Sequence, residues 1–170
     1  MSHAQSAPPI IVESRAAPWP HGCDSALERA CEIIIDAGLA GARWAVFPEG
    51  FIPGYPAWVW ATRPGDAPLL DALRAEALAS AVRVPSDISD RLCRVAQRAQ
   101  VNVAVGVIER DDAAGGAPYY NTLLFINTLG QIVGKYRAPL SNGAALPVWV
   151  PGEDDLSADE ERATSSVGGI

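Results

Sequence analysis

Val101-Asn102-Val103-Ala104-Val105-Gly106-Val107-Ile108-Glu109 is apolar on both sides of an extended chain. Strand alternation sends Val101, Val103, Val105 and Val107 one way and Ala104, Gly106 and Ile108 the other. A strand without a polar face belongs in a sheet covered on both sides. Downstream, Asp111 to Pro118 is a polar, glycine-containing loop. Asn121–Asn127 and Gln131–Arg137 read as two further strands, joined by a tight turn at Thr128-Leu129-Gly130. Upstream, Ser86 is a good N-cap for a helix running to about Gln100, with Ile88, Leu92, Val95, Ala96 and Ala99 as its core stripe. Asp66 to Ser80 is rich in Ala and Leu and also reads as a helix.

Farther out, Trp44-Ala45-Val46-Phe47 is a short buried strand, ended by Pro48. Ser25 to Ala37 predicts a helix. Ser25 and Glu28 form a capping-box signature at its start, and Gly38 is placed to end it. Ile10-Ile11-Val12 fits an edge or first strand. Helices alternating with strands and closing on a hairpin define an α/β domain.

The chain has 170 residues, 49% of them hydrophobic, and a mean hydropathy of +0.09. That suits one domain able to bury a core. A net charge of −7 argues against a nucleic-acid partner, which would need a basic patch. No apolar run approaches the roughly 18 residues of a membrane span, and Met1 to Pro20 has no signal-peptide layout. Three irregularly spaced cysteines do not make a disulfide framework, so a cytoplasmic protein with reduced thiols is expected. The domain is expected to occupy residues 1–152. Residues 153–170 hold six acids and one base, Arg162, and are expected to form a disordered acidic tail.

Little in the sequence suits cofactor chemistry. His3 and His21 lie in the irregular N-terminus. Cys23, Cys31 and Cys93 have no Cys-x-x-Cys partner, so no metal site and no cofactor are expected. Gly134-Lys135 is followed by Tyr136 rather than Ser or Thr, which excludes a phosphate loop. Glu49 stands out among the acids. It follows an apolar strand and opens the Pro/Gly-rich loop Gly50-Phe51-Ile52-Pro53-Gly54-Tyr55-Pro56. Catalytic groups gather at such strand ends, and burial there would suit a general base. Alone, the residue reads better as a solvated loop carboxylate. Tyr55 is a pocket candidate or a packing aromatic, and Trp58 and Trp60 fit core packing better than a pocket.

Phe47-Pro48-Glu49 followed by Gly54-Tyr55-Pro56 resembles the FPE…GYP segment of nitrilases, in the carbon–nitrogen hydrolase superfamily. Arg91-Leu92 through Val105-Gly106-Val107 is similar to the helix and strand that follow it there. Tyr120-Asn121-Thr122 is similar to the family's YNT strand, and Gly130 through Gly134-Lys135-Tyr136-Arg137 to its glycine-led hairpin. Spread over residues 10–137, the resemblance implies a partial α-β-β-α sandwich of the nitrilase type. It implies hydrolysis of a nitrile, or a related amide, to an acid and ammonia, and a homo-oligomer. A cysteine thiolate, a glutamate base and a lysine that stabilises the charged intermediate carry the chemistry in that family. The glutamate maps onto Glu49, and Tyr55 borders the substrate pocket.

Past Arg137 the pattern is lost. Ala138 stands where the family has its lysine, and Ala145 where it has a supporting glutamate, while Val148-Trp149 and Pro151-Gly152 still match. Lys135, the only lysine, lies three residues upstream, an odd offset that turns it to the opposite face of a strand. A solvated hairpin lysine is therefore expected. No cysteine has the nucleophile's context. The expectation is an incomplete, inactive nitrilase-like chain. The alternatives are a non-catalytic fragment that joins a full-length relative, and a stand-alone binding protein with a relic pocket.

Overall fold

The computed structural model describes residues 11–13, 22–56, 65–114 and 119–138. Five strands form one sheet in the order β1 (Ile11–Glu13), β2 (Trp44–Val46), β3 (Asn102–Arg110), β4 (Tyr119–Ile126), β5 (Ile132–Arg137). β1, β2 and β3 run parallel, and β4 and β5 add an antiparallel pair. The helices are α1 (Gly22–Leu39), α2 (Ala67–Ala79) and α3 (Asp87–Ala99). The Trp44–Phe47, Val101–Glu109 and hairpin strands fall where the sequence puts them, within a residue or two. Trp58, Trp60, Ala145, Trp149 and the acidic segment 153–170 lie outside the described residues.

β3 carries the fold because two layers meet on it. Val103, Val105 and Val107 join Ala45, Leu124 and Ile126 in a core sealed by Ala30, Ile34 and Ala37 of α1 and Leu92 and Ala96 of α3. Ala104 and Ile108, on the other face, are also buried. Both faces of β3 are thus withdrawn from water, as its composition requires.

The two sandwiching helices start and stop for different reasons. α3 begins at Ser86, whose hydroxyl accepts from the Ser89 N–H while Ser89 answers to the Ser86 N–H, a reciprocal cap. α1 starts three residues before the expected Ser25, at Gly22. Asp24 falls in its first turn, where a carboxylate favours the positive end of the helix dipole. Gly38 does not end α1. It lies inside the helix, where a Cβ would come 2.6 Å from the Ala99 carbonyl oxygen, so its smallness lets α1 approach the end of α3. The reversal falls instead at Gly41, at φ +75°.

One edge of β3 is served by three separate pieces of chain. β2 pairs with its first part. The Phe47 N–H then reaches Ala104 O at 2.8 Å, the chain leaves, and it returns at Ile52, whose N–H donates to Gly106 O at 3.2 Å. Val82 takes over at the far end, donating to Ile108 O and accepting from the Arg110 N–H, both at 2.8 Å. The excursion between Phe47 and Ile52 carries Glu49.

Candidate active site

Residues opposite one another in register share a face. Ile108 with Asn121, and Gly106 with Leu123 and Tyr136, therefore lie on the face away from α1 and α3. The Ala138 N–H continues the ladder to Asn121 O at 2.8 Å, which keeps Ala138 on that face by alternation. The Pro48–Gly50 excursion crosses this face directly over Gly106. A Cβ at Gly106 would meet Pro48 O at 2.3 Å and the Glu49 Cα at 2.7 Å, so only glycine admits the loop. The result is a cavity of about 100 Å3 lined by Glu49, Gly106, Asn121, Thr122, Leu123, Tyr136 and Ala138.

Two expectations about this site are corrected. Glu49, where burial would suit a general base, is exposed. The excursion packs its backbone onto Gly106 and leaves the Glu49 side chain exposed at the edge of the cavity it helps to line. Tyr55 was expected to share the cavity. It is half-buried and packs beside Gly50, outside the lining residues. Ala138, the position matched to the family's lysine, does share the cavity with Glu49.

Lys135 is on the other face, as its odd offset requires, and it is exposed there as expected, but its ammonium is paired. Its Nζ donates to Glu109 Oε1 at 2.8 Å. Glu109 is 1% exposed and collects the bonds of a whole cluster. Arg137 donates Nε to Oε2 at 2.9 Å and Nη2 to Oε1 at 2.8 Å, and the Thr122 hydroxyl donates to Oε2 at 2.8 Å. Arg137 also reaches Asp111 at 2.6 Å and lies 4.0 Å over the Tyr120 ring. Burial pushes the Glu109 carboxyl up, but the bonds from Arg137, Lys135 and Thr122 outweigh it and hold the group below the usual carboxylate range.

Sequence reading missed this cluster. Its signal is parity: Glu109 continues the stripe Val103, Val105, Val107, and Lys135 and Arg137 are two residues apart on the neighbouring hairpin. A carboxylate at the end of a buried apolar stripe demands cations on the same face.

The three thiols are all on helices, Cys23 and Cys31 on α1 and Cys93 on α3, and none lines the cavity. Burial pushes each thiol up, Cys23 to about 11 with Asp24 adding to the effect. Such thiols are poor nucleophiles at neutral pH. The cavity therefore offers a carboxylate, an amide and a phenol, but no cationic side chain and no thiol.

The described residues form an α/β sheet with a glutamate on a loop at the end of an inner strand, in a cavity shared with the hairpin. The carbon–nitrogen hydrolase profile matches residues 15–138, and the chain belongs to that family. It is 28% identical over 160 residues to a nitrilase of Bacillus sp. (strain OxB-1), covering 94% of this chain and 45% of that one. It is 32% identical over 162 residues to an aliphatic nitrilase of Sinorhizobium fredii (strain HH103), covering 92% and 50%. The chain spans about half the length of the curated relatives it matches. Among solved structures, an amidase from Nesterenkonia sp. superposes with a TM-score of 0.54 at 19% identity, over 84% of this chain and 48% of that one. That likeness supports the α/β fold of the nitrilase superfamily. Among the described residues, no helix is long and apolar enough to cross a membrane.

Proposed function

We propose that the chain carries the N-terminal part of a nitrilase-type site, with Glu49 as its general base, and that alone it does not hydrolyse nitriles or amides. The observation behind the reading is the cavity itself. Glu49 and the position that the resemblance matches to the family's lysine, Ala138, both line it. The base is kept, while the ammonium that would stabilise a negatively charged intermediate and the thiolate that would attack carbon have no counterpart in the lining. Lys135 cannot move across to help, because Glu109 holds it on the helix side.

In this reading Glu49 would accept a proton from a nucleophile supplied by a longer chain or a partner. Tyr55 braces the loop beneath it as a neighbour of Gly50 and borders the substrate route. The test is ammonia release by the purified chain from aliphatic and aromatic nitriles and from short amides. No release above the no-protein background is expected. Turnover that Glu49→Gln abolishes would overturn the reading.

A further inference from the structure

Asn121 is 6% exposed and faces the cavity, yet among the described residues nothing hydrogen-bonds its side-chain amide. Its backbone is fully used, since its carbonyl takes the Ala138 N–H. A buried amide left unpaired costs free energy, so its orientation towards a cavity calls for a partner that is not part of this strand. Across the same space stands Glu49, with no cation paired to it among the described residues. The two cations nearest in sequence to the cavity, Lys135 and Arg137, are both committed to Glu109 on the opposite face. The space thus offers the Glu49 carboxylate as an acceptor, with the Asn121 amide and the Tyr136 phenol, each able to accept as well as donate, beside the apolar wall of Leu123 and Ala138.

We infer that this cavity binds a small primary ammonium ion, its N–H groups shared between the Glu49 carboxylate and Asn121 Oδ1 and its carbon end against Leu123 and Ala138. An –NH3+ group supplies three donors and no acceptor, which suits three oxygens that can all accept: the Glu49 carboxylate, Asn121 Oδ1 and the Tyr136 phenol. A volume of about 100 Å3 takes a ligand of a few heavy atoms and no more. A quaternary ammonium has the charge but no donors to satisfy Asn121. A neutral primary amide has donors but forms a weaker bond to the Glu49 carboxylate than a charged donor does. The inference stands on the placement of Glu49 and Asn121 and does not depend on any hydrolytic role.

Saturation-transfer NMR on the full 170-residue chain tests it with methylammonium chloride as probe, at constant ionic strength, with tetramethylammonium chloride and acetamide run alongside. The methyl signal of methylammonium is expected to saturate with concentration and to be displaced by ammonium chloride. Glu49→Gln, at an exposed position, should weaken the apparent affinity about tenfold, in line with loss of one charge-assisted bond. Asn121→Asp should tighten it, and Ala138→Lys, which tethers an ammonium in the same space, should abolish it. Equal signals from tetramethylammonium, indifference to Glu49→Gln, or binding of acetamide but not methylammonium would each overturn the proposal. Ammonia release reports on the hydrolytic reading alone, so either idea can fail without the other.

Discussion

The two faces of the β3–β5 sheet are made from alternate residues of the same strands and hold opposite kinds of electrostatics. On the helix side, Glu109 is sealed among Lys135, Arg137 and Thr122, with a hydrogen-bond partner for each carboxylate oxygen. On the other side, Glu49 sits on a cavity rim with Ala138 across from it and no cation in the lining. β5 supplies both outcomes: Lys135 and Arg137 point one way, Tyr136 and Ala138 the other. A closed ion cluster fixes the register of the strand, while the open face is free to lose charges without unfolding the sheet.

The sharpest way to break this contrast is to remove the closed side. Glu109→Ala takes the buried partner from Lys135, leaves Arg137 only Asp111, and should cost about 3 kcal/mol of unfolding free energy, read from urea denaturation. Glu49→Gln in the same assay should change stability by less than about 0.5 kcal/mol, as at an ordinary surface position. Comparable losses from the two would mean the faces are not divided as described. Next in size is Gly106→Ala. Its Cβ would press on Pro48 O and the Glu49 Cα, both of them backbone, so relief requires the loop to move. A loss of about 1–3 kcal/mol is expected, in line with overpacking.

Those two positions also mark what the sequence could and could not reveal. Gly106 lies in a run whose strand character is plain from Val103, Val105 and Val107, but nothing local says that a loop crosses it. The glycine is explained only by Pro48 and Glu49, more than fifty residues away. Helix ends were legible where the cap is local, as at Ser86, and misread where packing decides, as at Gly38 against Ala99. Glu49 was legible as a loop residue at a strand end. Its exposure was not, because the path of the loop backbone over the sheet depends on the absent side chain at Gly106. Ala138 was legible by its register with Arg137 and gained meaning once its ladder bond to Asn121 placed it over the cavity.

Acid sharpens the comparison further. The Glu109 carboxyl is held below its ordinary value, so its contribution is fully present above the unfolded-state value of about 4.3 and is lost as pH falls through the lowered folded value. Stability should hold down to about pH 4 and then decline, and Glu109→Gln should flatten that part of the profile. Base acts through the thiols. Cys23 is pushed up to about 11, so the folded chain keeps a proton that the unfolded chain gives up nearer 9. Stability should fall between those values, and iodoacetamide at pH 8 should label the native chain far more slowly than the urea-unfolded chain.

The smallest expected effect is on catalysis, and it separates a charge that is missing from a site that is missing. Ala138→Lys puts an ammonium on the cavity face, opposite Glu49, on a strand already fixed by Glu109 and Arg137. An added stabiliser of developing charge is worth roughly 10²–10³ in rate, but only where a covalent intermediate forms. Forming it needs a thiolate in reach of its base, and Cys23, Cys31 and Cys93 are on helices with their thiols pushed up by burial. Groups that act as one unit give almost nothing singly: loss of the nucleophile alone removes on the order of 10⁶ in a serine protease. The variant should therefore gain methylammonium exclusion but no ammonia release from any nitrile, measured with the same enzyme-coupled ammonia assay as the parent chain. Turnover appearing in Ala138→Lys, and lost again in Ala138→Lys with Glu49→Gln, would mean that a nucleophile reaches the open face after all, and that the two faces differ in charge but not in competence.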